Sequence, residues 1–380
     1  MQERLSQRTD FLHVVTFFGV NGEYGGPMSV ALSLSSELSK LNFISKIICG
    51  AHRKFTTAEY YSNSVVAIPV KSWIKKYPFS SMWSMKFGLN LYKEIKNSNI
   101  VHIHFARDLI PVVAAIICLI KRKKFVLQTH GMISKQETKI QLWFDILIVK
   151  HIMEKAEIVF VLSEIEDKDL SRLKITNTQL LTNGIAISGD RRFTRRNSTI
   201  KVIFISRIEK RKNLRCFIEV AQLSHMFQLN YSFEIYGPDE GDLTENLELI
   251  EKLGITNIQY CGSVRFDKVP AKISEQDILI LPSFAEPWAM VALEALSVGT
   301  RIIIFPSAGI APRIKTIYPE FVTEAENAFS VFQSLVLMDG QTSDVMRSEI
   351  KKFCADHFSI SKVVNDYLHI LEVVPKVCFK

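Results

Sequence analysis

The sequence predicts two doubly wound parallel α/β domains facing each other across a cleft. Three observations carry that expectation. Short apolar runs alternate with amphipathic stretches along the whole chain, the rhythm of βαβ units. At 380 residues the chain exceeds one ordinary core and suits two, each with a sizeable interior. A polar, aperiodic segment, Ser188-Gly-Asp-Arg-Arg-Phe-Thr-Arg-Arg-Asn-Ser198, interrupts the rhythm near the middle.

In the first half, strands are expected at Leu12 to Phe18, Ser45 to Cys49, Ile100 to His104, Lys124 to Thr129 and Ile158 to Leu162. In the second half they are expected at Lys201 to Ile205, Ser232 to Tyr236, Ile258 to Cys261, Ile278 to Leu281 and Arg301 to Phe305. Leu109 to Ile120 is the longest apolar stretch, too short to span a bilayer, and reads as a buried core helix. Asn183-Gly184 makes a hinge turn ahead of the polar segment. The boundaries expected are therefore 1–187 and 188–358. The remainder, 359–380, holds a helical stretch, Ser361 to Val373, apolar on one face and free to pack on either domain, the first included.

The net charge of +8 suits acidic partners: nucleotide phosphates, nucleic acid or an anionic membrane surface. The basic residues are dispersed and lack a stacking or groove-reading module, so nucleic acid is set aside. Cys49, Cys118, Cys216, Cys261, Cys354 and Cys378 show no CxxC or metal-ligand spacing and read as reduced thiols. The polar start, Met1-Gln2-Glu3-Arg4, has no apolar h-region, and a cytoplasmic protein is expected.

The most telling stretch is Ala285-Glu286-Pro287-Trp288-Ala289-Met290-Val291-Ala292-Leu293-Glu294, directly after the run Asp277 to Ser283. Pro287 is placed to open a helix, which would leave the amides of Ala289, Met290 and Val291 as unpaired donors, a phosphate site. At about 1.5 Å of rise per residue, the two carboxylates lie on the order of 10 Å apart. No single small group could touch both, but a nucleotide-sugar could, with hexose on Glu286, diphosphate at the amides and ribose on Glu294. Taken alone, either Glu reads as a helix-dipole or solvated-face residue. The pair is joined by Ser206-Arg207-Ile208-Glu209-Lys210-Arg211-Lys212-Asn213, basic residues after the strand Lys201 to Ile205. Ligands of such sheets bind at the carboxyl ends of strands, which groups these segments with Gly19 to Pro27, His130, Gly237 and Gly262.

With these residues in view, the chain resembles the GT-B glycosyltransferases, specifically retaining family 4. The motifs are Gly25-Gly26-Pro27, Thr129-His130-Gly131-Met132, Leu162-Ser163-Glu164, Asn183-Gly184-Ile185, Arg207 with Lys212, Tyr236-Gly237-Pro238, Cys261-Gly262-Ser263-Val264, and the Glu-x7-Glu pair closed by Gly299. The resemblance spans essentially the whole chain and implies two Rossmann-like domains, the first for acceptor and the second for donor. It implies that Arg207 and Lys212 hold the donor diphosphate, Glu294 binds ribose, and Glu286 and His130 reach the donor sugar. Gly25 and Gly26 would let backbone approach phosphate or acceptor, and Gly237 and Val264, with the amides at 289–291, would complete the nucleotide site. No metal or other cofactor is required in such enzymes. Two departures stand out: Ala289 and Asn213 occupy positions where the family commonly has Gly.

Several features have plainer readings. Arg207 and Lys212 sit among other bases and would pass for a solvated loop, and His130 alone for a core or capping histidine. His102 and His104 share one strand face, but no third ligand has suitable spacing, and they read as cleft-lining or structural. Asp167-Lys168-Asp169 imitates a metal-binding DxD but reads as helix-start charge after Ser163. Val70 to Lys86 interleaves bases with Trp73, Phe79 and Trp83, and Lys121-Arg122-Lys123-Lys124 adds a second cluster, together an expected docking surface on anionic lipid. The alternative is that the aromatics are core and the lysines a solvated face.

The reading expected from all this is a retaining, metal-independent transfer of a hexose from a UDP- or GDP-linked donor to a lipid-linked glycan acceptor. Surface polysaccharide or lipopolysaccharide synthesis, peripheral on the inner face of the cytoplasmic membrane, is the expected setting. The competing readings are a catalytically silent, membrane-docked partner of another transferase and a nucleotide-sugar epimerase of the same fold.

Overall fold

A computed structural model describes residues 9–18, 25–52, 64–75, 77, 79–133, 143–187, 199–339 and 343–374. The polar segment 188–198 lies outside them. The chain gathers into two compact units, Met1–Gly184 together with Ile360–Lys380, and Ile185–Ser359.

Unit 1 is built on β1 (Thr9–Phe18), β2 (Ser45–Ala51) and β3 (Val65–Pro69), a short antiparallel hairpin of β4 (Lys71–Ser72) and β5 (Met82–Trp83), then β6 (Ser98–His104), β7 (Lys124–Gln128), β8 (Val159–Val161) and β9 (Thr178–Leu180). Seven of these form a parallel sheet in the order β3-β2-β1-β6-β7-β8-β9. The order reverses between β1 and β6, so the sheet is doubly wound. β3 and β9 are additions to the expected strands. The first is brief and ends at Pro69, and the second, Thr178-Gln179-Leu180, is an edge with little apolar signal.

Among the described residues, the α-helices α1 (Gly25–Lys40), α2 (Met85–Asn97), α3 (Leu109–Lys121), α4 (Lys150–Lys155) and α5 (Glu164–Ser171) accompany them. Strand alternation sends Leu12, Val14, Val101, Ile103 and Leu127 to one face, where they pack with Phe87, Leu91 and Ile95 of α2 and Ile110, Ala114 and Cys118 of α3. On the other side Val15, Ile47 and Cys49 meet Met28 and Ala31 of α1. The α3 helix corrects one expectation: it is buried along one face only, and Leu109, Ile116 and Ile120 are exposed. A helix in an outer layer touches its sheet with one stripe, however apolar the rest.

Unit 2 repeats the plan with β10 (Ile200–Ile205), β11 (Tyr231–Tyr236), β12 (Ile258–Tyr260), β13 (Ile278–Leu281) and β14 (Arg301–Ile304), all parallel, in the order β12-β11-β10-β13-β14. Its helices are α6 (Leu214–Met226), α7 (Leu243–Leu253), α8 (Val269–Ser274), α9 (Met290–Ser297), α10 (Ala311–Lys315), α11 (Ala328–Leu337) and α12 (Asp344–Phe358). Every residue of β13 and β14 is buried, as expected of central strands covered on both faces. Unit 2 is closed by its own ends, the Ile185 amide donating to the Phe358 carbonyl at 2.8 Å.

The chain then returns to unit 1 as α13 (Ile360–Ile370), which packs on α1 and buries Val363, Val364, Tyr367 and Leu368. Gly184 is needed at this return, because a Cβ there would stand 2.8 Å from the Ile360 Cα.

Candidate active site

In unit 2 the strand order reverses between β10 and β13, which pair through Val202 with Ile278 and Ile203 with Leu279. At such a switch point the loops leaving the two carboxyl ends diverge and open a crevice. The loop after β10 runs through Ser206 to Asn213 and that after β13 through Pro282 to Ala289. A backbone bond of 2.9 Å from the Phe284 amide to the Arg211 carbonyl ties them together.

Their side chains meet at Glu286. Its Oε2 accepts from the Lys212 ammonium at 2.5 Å and from Arg211 at 3.1 Å. Burial pushes the Glu286 carboxyl up, but Lys212 and Arg211 outweigh it and hold it below the usual glutamate range. Burial also lowers the Lys212 ammonium, with Glu286 opposing. Arg207 is turned the other way, onto Glu240 at 2.8 Å and Glu209 at 3.2 Å. Arg211, which the sequence reading left among the surface bases, thus shares the Glu286 carboxylate, and Glu209 braces both arginines.

The loop after β13 corrects one expectation. The helix opens at Met290 instead of Pro287, and Ala289 caps it in the left-handed region at φ 55°. Asn213 caps α6 in the same conformation, also at φ 55°. These are the two places where the resemblance noted glycine, and the backbone explains why: an L side chain in this region costs about 1–2 kcal/mol. The amides of Met290 and Val291 start α9 and have no carbonyl one turn earlier to bond. The amide of Ala289 precedes the helix instead of lying in its first turn.

Glu294, in the second turn of α9, is 8 % exposed and takes no hydrogen bond or ion pair among the described residues. Burial pushes its carboxyl up to about 7. A buried carboxylate without partners is costly unless something donates hydrogen bonds to it. Gly237 has a local reason to be glycine, for at φ 148° a Cβ would collide with the Ser206 carbonyl oxygen at 1.7 Å. Val264 is half-buried in the segment after β12.

In unit 1, Gly25 opens α1, and Gly26, exposed in its first turn, has open space where a Cβ would sit. Residues 19–24 lie outside the described ones. His130 follows β7 in the left-handed region at φ 51°, a strained position for a residue other than glycine. The Glu166 carboxylate holds the turn from both sides, accepting from the Thr129 hydroxyl and, at 2.5 Å, from the Gly131 amide. Its other oxygen takes the Leu162 amide at 2.7 Å. Burial pushes Glu166 up and these donors pull it back, with the net shift upward. The reading had stopped at Leu162-Ser163-Glu164, although Ser163-x-x-Glu166 has the spacing of a capping box and could have exposed the residue.

His102 and His104 do have a third neighbour. His13 on β1 lies opposite His102 in the strand register, and the ligand nitrogens of the three lie within 4.8 Å of one another. Strand register brings together residues that sequence spacing keeps far apart, which corrects the expectation of no third ligand. The His102 and His104 rings are stacked, with planes 5° apart and centroids at 4.6 Å. His104 Nδ1 bonds His130 Nε2 at 2.8 Å, and His104 Nε2 approaches His13 Nδ1 at 3.4 Å. Asp167, in the first turn of α5, accepts from the Thr178 hydroxyl, and Asp169 pairs with Arg172.

Two α/β units of this topology, one with a basic cluster and acidic partners at its switch point, define the GT-B architecture of glycosyl-transferring enzymes. The family described as "Glycosyltransferase Family 4" matches residues 24–188, and "Glycosyl transferases group 1" matches 190–333. The chain belongs to the GT-B glycosyltransferases of this group 1, family 4 type. It is 23 % identical over 297 residues to a 41.2 kDa protein of the cps region of Klebsiella pneumoniae, covering 72 % of this chain and 78 % of that one. The fold is shared with HepE of Anabaena in complex with UDP and glucose (TM-score 0.72, 13 % identity, 96 % of this chain and 99 % of that one). It is also shared with the pneumococcal O-GlcNAc transferase GtfA in complex with UDP and GlcNAc (TM-score 0.67, 11 % identity, 96 % and 99 %).

Proposed function

We propose that the enzyme transfers a hexose from a nucleotide-sugar to a lipid-linked glycan with retention of anomeric configuration, and that it needs no metal. The observation carrying the donor assignment is Glu294, a buried carboxylate without a partner among the described residues, in the second turn of the helix that opens at Met290. Ribose hydroxyls supply the donated hydrogen bonds it lacks. Lys212 and the amides of Met290 and Val291 then serve the diphosphate, Arg207 joins them by releasing Glu240 and Glu209, and Val264 lies in the stretch that borders the base. Uridine is the first base to try, because HepE and GtfA hold UDP.

In this reading, negative charge grows on the diphosphate as the glycosidic bond breaks. Lys212, buried and held in its loop, stabilises that charge and does the work a divalent ion would otherwise do. Glu286, kept ionised by Lys212 and Arg211, accepts from sugar hydroxyls. His130, in unit 1, is read as a donor to a sugar hydroxyl.

The acceptor side rests on the outer layer of unit 1. Met85, Leu89 and Tyr92 of α2 and Ile116 and Ile120 of α3 are exposed beside Lys86, Lys93, Lys96 and Lys121, and Trp73 and Ile74 are exposed on the hairpin. Lys121 stands 4.8 Å over the Tyr92 ring, joining the two helices. Apolar residues among lysines suit an anionic bilayer, where a lipid-linked acceptor of surface polysaccharide or lipopolysaccharide synthesis resides. Of the three aromatics first assigned there, Trp73 fits, while Phe79 and Trp83 pack against the core. No helix among the described residues is long and apolar enough to cross a membrane.

A thermal-shift panel of UDP-, GDP- and ADP-sugars without metal tests the donor reading. Stabilisation by one nucleotide class in wild type, lost in Glu294→Ala, is expected. No shift with any of them in a folded protein would remove it and favour a silent partner.

A further inference from the structure

His13, His104 and His130 sit on or just after β1, β6 and β7, three strands adjacent in the sheet, and form one hydrogen-bonded row. All are buried, at 0 %, 1 % and 9 % exposure. Burial holds them neutral, His13 and His130 down to about 3 and His104 well below its ordinary value. A neutral imidazole has one N–H and one lone pair, so the row has a direction and only two polarities are open to it.

If His130 donated from Nε2 to His104, then His104 would donate from Nε2 to His13, and the His13 proton would sit on Nε2. That nitrogen is buried with no partner, and an orphaned donor is the rarer and costlier defect. In the opposite polarity His13 donates from Nδ1 and His104 from Nδ1, so His13 is left with only a bare lone pair at Nε2. His130 then carries its proton on Nδ1. The His104 and His130 planes are 8° apart, which lets a lone pair face an N–H at the 2.8 Å contact. His104 is held in turn by His102, stacked at 4.6 Å, and His102 is covered by Tyr367 at 5.4 Å.

We propose that His13 and His104 are positioning residues that lock His130 in the Nδ1–H tautomer, leaving that N–H free to donate to a sugar oxygen. Glu166 fixes the backbone on either side and the histidine row fixes the ring. The role of His130 toward sugar rests on the function proposed above; the tautomer does not.

Two-bond 1H–15N correlation spectra of the 15N-histidine-labelled full chain read the tautomer directly. Wild type is expected to show His130 protonated at Nδ1 from pH 6 to 8. His104→Phe removes the donor to Nε2, and mixed or Nε2–H character at His130 is expected, with a roughly tenfold fall in kcat. His104→Asn keeps a side-chain N–H near the place of Nδ1 and is expected to restore the Nδ1–H form and most of the rate. An Nε2–H signal from His130 in wild type, or a tautomer indifferent to His104→Phe, overturns the proposal. Should His104→Phe fail to fold, the wild-type spectrum and His104→Asn still decide. Full activity in His130→Ala would instead sink the sugar contact while leaving the tautomer result intact.

Discussion

Ala289 and Asn213 show how much backbone conformation a single residue can reveal. Both occupy left-handed positions, and only Asn has a side chain that tolerates the region well. Ala289→Gly is therefore expected to stabilise unit 2 by about 1 kcal/mol in urea unfolding, since it relieves the strain and repays part of it as unfolded-state entropy. Glu294 gives a second expectation at this scale. Burial pushes its carboxyl up to about 7, and in the proposed role it accepts from ribose hydroxyls in its ionised form. Below that pH it binds a proton that donor binding must expel, so affinity falls about tenfold per pH unit, and above it affinity is flat. Calorimetric titration with UDP from pH 5.5 to 8.5 checks this, and the dependence should vanish in Glu294→Gln.

At the level of elements, strands were legible and their edges were not. Ile278 to Leu281 announces itself because a central strand is apolar on both faces, whereas Thr178–Leu180 is an edge whose partners supply its pairing. The Glu pair and the basic run could be read because each lies on one short segment. Arg211 meeting Glu286, Glu166 clasping Thr129 and Gly131, and His13 joining His102 are products of strand order and register, which no local pattern encodes. The two loops of unit 2 act as one piece through Lys212, Glu286 and the Phe284-to-Arg211 bond. Lys212→Met is expected to weaken UDP binding roughly a hundredfold while leaving the melting temperature of unit 1 unchanged. Binding unaltered by that change would place the diphosphate elsewhere.

At the scale of the whole molecule, the two units respond differently to acid. The unit 1 histidines are held neutral, with His13 and His130 at about 3 against an unfolded value of 6.5. The unfolded chain binds protons first, so unit 1 loses stability progressively as pH falls below 6.5 toward 3. Glu294 works in the opposite sense in unit 2, whose stability falls as pH rises from about 4.5 to 7. Unfolding followed by hydrogen exchange from pH 4.5 to 7.5 should find unit 1 amides opening first at the acid end, and His13→Phe should blunt the effect. The same measurement on chain ending at Ser359 is expected to unprotect unit 1 and spare unit 2, because α13 belongs to unit 1 and its Tyr367 covers His102 there.

That returning helix also sets an order of events on the ribosome. Unit 2 is one unbroken stretch and can close as soon as Ser359 clears the exit tunnel. Unit 1 begins at the start of the chain yet lacks its last piece until Ile360–Ile370 has been made. At 5–20 residues per second, the intervening stretch takes roughly 10–35 s to synthesise. For that time the nascent first unit stands with the face that α13 will cover open, a window in which a chaperone could engage it.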